Sequence, residues 1–174
     1  MVVAGTVALF CSPALAQMPP SPGPEHQMFA ATAGTWDATI EMALPDGTTM
    51  KATGTQVDTL GCSGMCLVTE FKADMMGMPF AGHGITTWDP AAKKYVGSWT
   101  DSMAPYIART EGTYDAATKK FASTMESRDA SGNAAKMRSI DEHPDPDHKS
   151  MTSWMAGPDG KEVQAMKITY VRRK

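Results

Sequence analysis

From Thr35 to the end of the chain, short alternating segments follow one another between turn residues, and none is long enough for a crossover helix. Thr35–Leu44 is the cleanest. Trp36, Ala38, Ile40, Met42 and Leu44 share one face, and Thr35, Asp37, Thr39 and Glu41 share the other. The same reading makes strands of 48–60, 65–72, 80–88, 95–101, 106–114, 121–128, 134–142, 149–157 and 162–172. Asp89-Pro90, Asp129–Asn133, Pro144–His148 and Pro158-Asp159-Gly160 are among the breaks between them. Short antiparallel strands joined in sequence leave two edges open to aggregation, and closure removes both. The expectation is therefore an all-β fold, an antiparallel up-and-down β-barrel of about ten strands. A two-sheet sandwich is the competitor, and it lacks the long connection that a Greek key needs. His26–Ala33, stopped by Gly34, predicts a short N-terminal helix.

An internal echo supports the meander. Trp88-Asp89-Pro90-Ala91-Ala92-Lys93-Lys94-Tyr95 matches Tyr114-Asp115-Ala116-Ala117-Thr118-Lys119-Lys120-Phe121. The spacing is about two strands with their turns, which places the two loops at the same end of successive hairpins. The lysines themselves read as turn residues.

Residues 2–10 are almost wholly apolar, and Ala14-Leu15-Ala16 precedes Gln17, the pattern of a signal peptide over 1–16 cleaved after Ala16. No Lys or Arg precedes the apolar run, which is too short to span a bilayer. Gln17–Glu25 is a proline-rich leader, and 26–174 form a single domain. The expected location is periplasmic or secreted. A formal charge of −3 gives no electrostatic reason to expect nucleic acid as a partner. After cleavage two cysteines remain, in Cys62-Ser63-Gly64-Met65-Cys66. On a straight strand they would stand about 13 Å apart, too far for a disulfide. If Ser63-Gly64-Met65 is a hairpin loop they face each other at about 5 Å between Cα atoms, within reach. A disulfide is favoured over free thiols, and half a zinc site is weaker still.

Several stretches resemble a chiefly bacterial family, domain-of-unknown-function family 1579. They are Gly34-Thr35-Trp36, Gly77–Gly84, Tyr95–Met103, Glu111–Asp115 and Met166–Tyr170. The resemblance implies a calycin-like barrel, shaped like lipocalins and fatty-acid-binding proteins. It brings no established activity and no site residues.

Such a barrel has room for side chains or one small ligand. Tyr106, Ala108, Thr110, Gly112 and Tyr114 share a face, as do Tyr95, Gly97, Trp99 and Asp101. Both faces mix aromatic rings with small residues, a composition suited to a lined cavity. The ligand-binding expectation falls on Trp36, His83, Tyr95, Trp99 and Asp101. Flanking glycines let a ligand or a neighbouring strand approach closely at His83, and Asp101 either orients it, binds a ligand or caps the Ser102–Pro105 loop. Fatty-acid-binding proteins hold a carboxylate with an Arg and Tyr of their last strand. Tyr170 and Arg172 share a face here in the reverse order. No catalytic residue, cofactor or metal is assigned, since nothing in the spacing makes a triad, metalloprotease motif or phosphate loop. Copper on the methionine-rich 75–78 stretch is a minor alternative to methionine as adaptable filler. The leading function is an exported barrel binding a small apolar or amphipathic molecule. The alternatives are a low-activity enzyme using His83 and Asp101, and a structural or protein-binding envelope domain.

Overall fold

A computed structural model describes residues 21–44, 46–129, 131–157 and 160–174. The signal peptide expected over 1–16 lies outside the described residues. Ten strands close into one antiparallel barrel in chain order: β1 (Gly34–Ala43), β2 (Thr49–Gly61), β3 (Cys66–Met75), β4 (Met78–Asp89) and β5 (Lys94–Asp101), then β6 (Ala104–Asp115), β7 (Lys120–Arg128), β8 (Ala134–Asp145), β9 (His148–Ala156) and β10 (Glu162–Arg172). β1 pairs with β10 from Trp36↔Arg172 to Met42↔Met166, which completes the ring. Each strand pairs only with its chain neighbours otherwise, so no edge is left free.

The boundaries differ from expectation at four turns. The link between β3 and β4 is only Met76-Gly77, both in the left-handed conformation that a two-residue hairpin requires. Ser102-Met103 alone joins β5 to β6, because the strands pair up to Asp101↔Ala104. Pro144 lies within β8 rather than in a loop. It has no N–H to give the ladder, and the β8–β9 register slips between Glu142 and Asp145. The cysteine loop begins one residue early: Gly61 pairs with Cys66, and Cys62–Gly64 form a single 3-10 turn. Cys62 and Cys66 stand at disulfide distance, with Cα atoms 5.5 Å apart.

A 3-10 turn (Pro24–His26) leads into α1 (Gln27–Thr32). The last two residues of the proline-rich leader, Pro24 and Glu25, therefore belong to the folded domain. Alternate connections put the β2–β3, β4–β5, β6–β7 and β8–β9 turns at the α1 end of the barrel. The remaining turns ring the opposite end, the mouth. α1 stoppers its own end with Phe29, 0% exposed, against Leu67 and Tyr95. Trp88, Tyr114 and Phe121 pack around that cluster. These are the aromatic residues that bracket the two echoed loops, so the echo supplies two matching halves of the stopper. In each loop an aspartate caps the turn: Asp89 accepts from the Ala91 and Ala92 N–H groups, and Asp115 from Ala117 and Thr118. The Arg172 guanidinium ties the helix down by donating to the carbonyls of Ala31 and Ala33.

Candidate functional site

Register and pleat decide which side chains enter the barrel. Starting from Trp36, Ala38 and Ile40, the pairings carry the inward phase around the ring. It passes through Gln56 and Asp58 on β2, Phe71 on β3, Gly82 and Gly84 on β4, and Trp99 on β5. It continues through Ala108 and Thr110, Ser123 and Met125, Met137 and Asp141, then Lys149 and Met151, and ends at Ile168 and Tyr170. The two halves of the interior differ. The β1, β2, β3 and β10 wall is a sealed apolar core of Trp36, Ala38, Ile40, Phe71, Ile168 and Tyr170. Across from it, the inward residues Trp99, Thr110, Ser123, Met125, Met137 and Asp141 all keep partial accessibility. A side chain that points into a closed barrel and still has free surface is incompletely packed, so this half of the interior is closed less tightly than the other.

A cleft lies near the mouth. The β6–β7 ladder stops at Arg109↔Glu126, although β6 begins at Ala104 and β7 runs to Arg128. The strands separate there, and an open cleft of about 600 Å³ lies against Tyr106, Ile107, Ser127 and Ala135, with the exposed Glu126, Arg128 and Lys136 also lining it. Exposed apolar side chains surround the rim, among them Met76, Met78, Met103 and Met155, with Ile107 75% exposed. Of the methionine-rich stretch, Met75 is buried in the core and Met76 and Met78 stand on this rim.

A polar cluster occupies the interior toward the α1 end. Asp58 and Lys149 form an ion pair at 2.7 Å, their side chains 0% and 6% exposed. Asp58 is fully engaged, because Thr69 donates to Oδ1 at 2.6 Å and Gln56 to Oδ2 at 2.8 Å. The Lys149 ammonium also lies 4.4 Å from the Trp36 ring and 4.8 Å from that of Tyr170, so π-faces complete its surroundings. Burial lowers the Lys149 pKa, and Asp58 opposes that shift. On β8, Asp141 and His143 face the same cluster. Burial pushes the Asp141 carboxyl up to about 7; Lys149 pulls it down and Asp58 raises it further. Burial lowers His143 to about 4, with Lys149 and Arg172 adding to the shift and Asp58 opposing it. Desolvation raises Tyr170, helped by Asp141 and Asp58. At neutral pH the cluster holds one matched ion pair, a neutral imidazole and an acid near its midpoint.

The five residues expected to bind a ligand are divided by these surroundings. Trp36 points inward but is 1% exposed and fully occupied. Its Nε1 donates to the Thr32 carbonyl, and Lys149 and Arg172 lie over its ring. Tyr95 is likewise sealed, its hydroxyl donating to the Glu25 carbonyl and its ring set edge-on to Phe29, Trp88 and Phe121. Trp99 keeps partial accessibility on the less tightly closed side. Its ring lies across Gly82 and Gly84, where a Cβ would collide with it, and its Nε1 donates to Asp101 Oδ2 at 2.9 Å. Asp101 sits at the mouth and caps the β5–β6 turn through the Met103 N–H, so it both orients an indole and caps a loop. His83 is exposed on the outer face, opposite Glu70 and Thr100. Asp101 pairs with the adjacent Gly82, but alternation sends Gly82 and Gly84 inward and His83 outward, so the His83 side chain faces away from both the interior and Asp101. The sequence reading missed Asp58, Asp141, His143 and Lys149. The available signal was phase: each charge stands in register with small or apolar inward residues of its own strand.

The fold recurs in solved structures. Rv2717c from M. tuberculosis aligns with a TM-score of 0.66 at 12% identity, covering 87% of this chain and 99% of that one. The S-type phycobiliprotein lyase CPES from Guillardia theta aligns with a TM-score of 0.58 at 14% identity, covering 88% of this chain and 99% of that one. At such identities the likeness is one of fold. No curated protein matches the chain. A family model for proteins of unknown function, DUF1579, matches residues 21–172, the whole of the barrel and its helical stopper. This chain belongs to the DUF1579 family.

Proposed function

We propose that the protein is an exported barrel that binds one small apolar or amphipathic molecule in its interior. The observation that carries this reading is the partial accessibility of the inward residues Trp99, Thr110, Ser123, Met125 and Met137 of β5–β8, with an open cleft near the mouth beside them. Trp99, Met125 and Met137 offer broad, adaptable apolar contact there. The exposed methionines of the rim offer an apolar molecule a first contact before it enters. A lyase shares the fold, which shows that such a barrel can host an enzyme. In this chain His83 and Asp101 point to opposite faces of the β4–β5 ladder, and that argues against catalysis by the pair. No helix among the described residues is long and apolar enough to cross a membrane.

An environment-sensitive apolar dye should bind the folded protein at one saturable site. Trp99→Ala should weaken it about tenfold or more, since the indole supplies a large part of the apolar contact. His83→Ala should leave affinity unchanged. Removing the indole also costs stability, so unfolding must be followed alongside. A dye that never saturates, or that ignores Trp99, would overturn the reading.

Export rests on residues 1–16 and on the Cys62–Cys66 pair, which suits an oxidising compartment. Protein recovered from its own host should begin at Gln17 and should show no free thiol without reductant. Chain retaining Met1, or quantitative labelling of both cysteines, would rule export out.

A further inference from the structure

Three observations single out Asp141 inside the barrel. Among the described residues its carboxylate has no hydrogen-bond partner, whereas neighbouring Asp58 receives three. Among the described residues His26 Nε2 is the one side-chain polar atom both sealed and unpartnered, so the unpartnered Asp141 oxygens keep some accessible surface. Its surroundings leave it unmatched. From β2 comes Asp58, already paired with Lys149 of β9; from β10 come the Tyr170 phenol and Arg172, whose guanidinium donates to the carbonyls of Ala31, Ala33 and Pro146 and is matched in charge by Asp147 at 4.0 Å. On its own strand stands His143, kept neutral by burial. The interior therefore contains one acid beyond what its own cations balance, on the less tightly closed side of the barrel.

We propose that Asp141 anchors the protonated amine of an amphipathic ligand whose apolar body lies against Trp99, Met125 and Met137. This deepens the interior-binding reading and rests on it. An ammonium supplies what the site lacks, a positive charge with several N–H donors. The carboxylate accepts one and the neutral His143 imidazole can accept another. Burying a carboxylate beside a cation is far less costly than burying it alone, so ligand and acid stabilise each other's charged forms. A carboxylate ligand meets the opposite situation. Lys149 is already held by Asp58 and two aromatic rings, and Asp141 would repel the newcomer.

The test uses the whole folded protein and three fluorescent probes that share one dansyl-undecyl body and end in an amine, a hydroxyl or a carboxylate. At pH 8 the amine should bind about tenfold more tightly than the alcohol, and the carboxylate most weakly. At pH 5.5, where Asp141 takes up its proton, the amine should lose that advantage. Asp141→Asn keeps the shape and removes the charge. It should bring the amine down to the alcohol at both pH values and leave the alcohol's affinity unchanged. Saturable binding of the alcohol with no amine preference, or a preference that survives Asp141→Asn, overturns the anchor and leaves the ligand cavity standing. A carboxylate that binds best also overturns it. Failure of all three probes to bind overturns the cavity reading along with the anchor.

Discussion

Replacing Lys149 with Met should cost the barrel about 3–5 kcal/mol, the scale for removing one partner of a buried ion pair. The length of Met and the apolar surface of Trp36 and Tyr170 beside it would accommodate the side chain. The loss comes from Asp58, whose carboxylate would remain wholly buried with two neutral donors, Gln56 and Thr69, and no cation. Asp58→Asn should be costly for the mirror reason, since it strands an ammonium among aromatic rings. The double variant carries neither charge and should recover a large part of the loss, because two apolar or neutral groups can replace a buried pair at little cost. Urea unfolding of the four proteins closes the cycle. Strictly additive effects would mean that the two side chains do not depend on each other. A near-neutral Lys149→Met would mean that water reaches Asp58 and screens it.

The strand order was legible because every strand alternates and every break carries turn chemistry. Closure followed from the absence of any long connection, and the echoed Asp-to-Lys-Lys loops fixed two of the hairpins at one end. Inward phase was legible along single strands too: Trp36 with Ile40, and Tyr95 with Trp99, do share the interior. Which inward residues are sealed was not legible. Trp36 and Trp99 look alike in sequence, and only α1, Lys149 and Arg172 closing over Trp36 tell them apart. The polar cluster was hidden for a related reason. Asp58 and Lys149 are 91 residues apart, and a lone charge on a strand is normally assigned to solvent. Their partnership depends on the ring closing through β1 and β10, a long-range fact that no local pattern carries. His83 misled because flanking glycines mark close approach of something. Here it is the Trp99 ring on the inner side of the strand.

The pH dependence of stability should be shaped by Asp141 and His143 pulling in opposite directions. For Asp141 the folded pKa of about 7 lies above its ordinary value of 3.8. Between these values the folded state holds a proton that the unfolded chain has released, so stability is lost as pH rises through the window. For His143 the folded pKa of about 4 lies below its ordinary 6.5. There the unfolded chain holds the extra proton, and stability is lost as pH falls. Over pH 4.5 to 6.5 the two slopes oppose each other, and the wild-type protein should change little. Asp141→Asn should uncover the His143 slope, making the barrel more stable at pH 6.5 than at 4.5. His143→Gln should uncover the Asp141 slope and reverse that order. Both groups keep partial accessibility, so solvent screens part of their burial and each difference should be roughly 1–2 kcal/mol rather than the full linkage value. The surface acids Asp37, Asp46, Asp115, Asp129 and Asp145, all lowered by hydrogen bonds, are common to the three proteins and cancel in the comparison. Urea midpoints at the two pH values decide the matter. Parallel profiles for all three proteins would mean that neither group is desolvated, and the interior would then be a water-filled well rather than a binding site built around a buried acid.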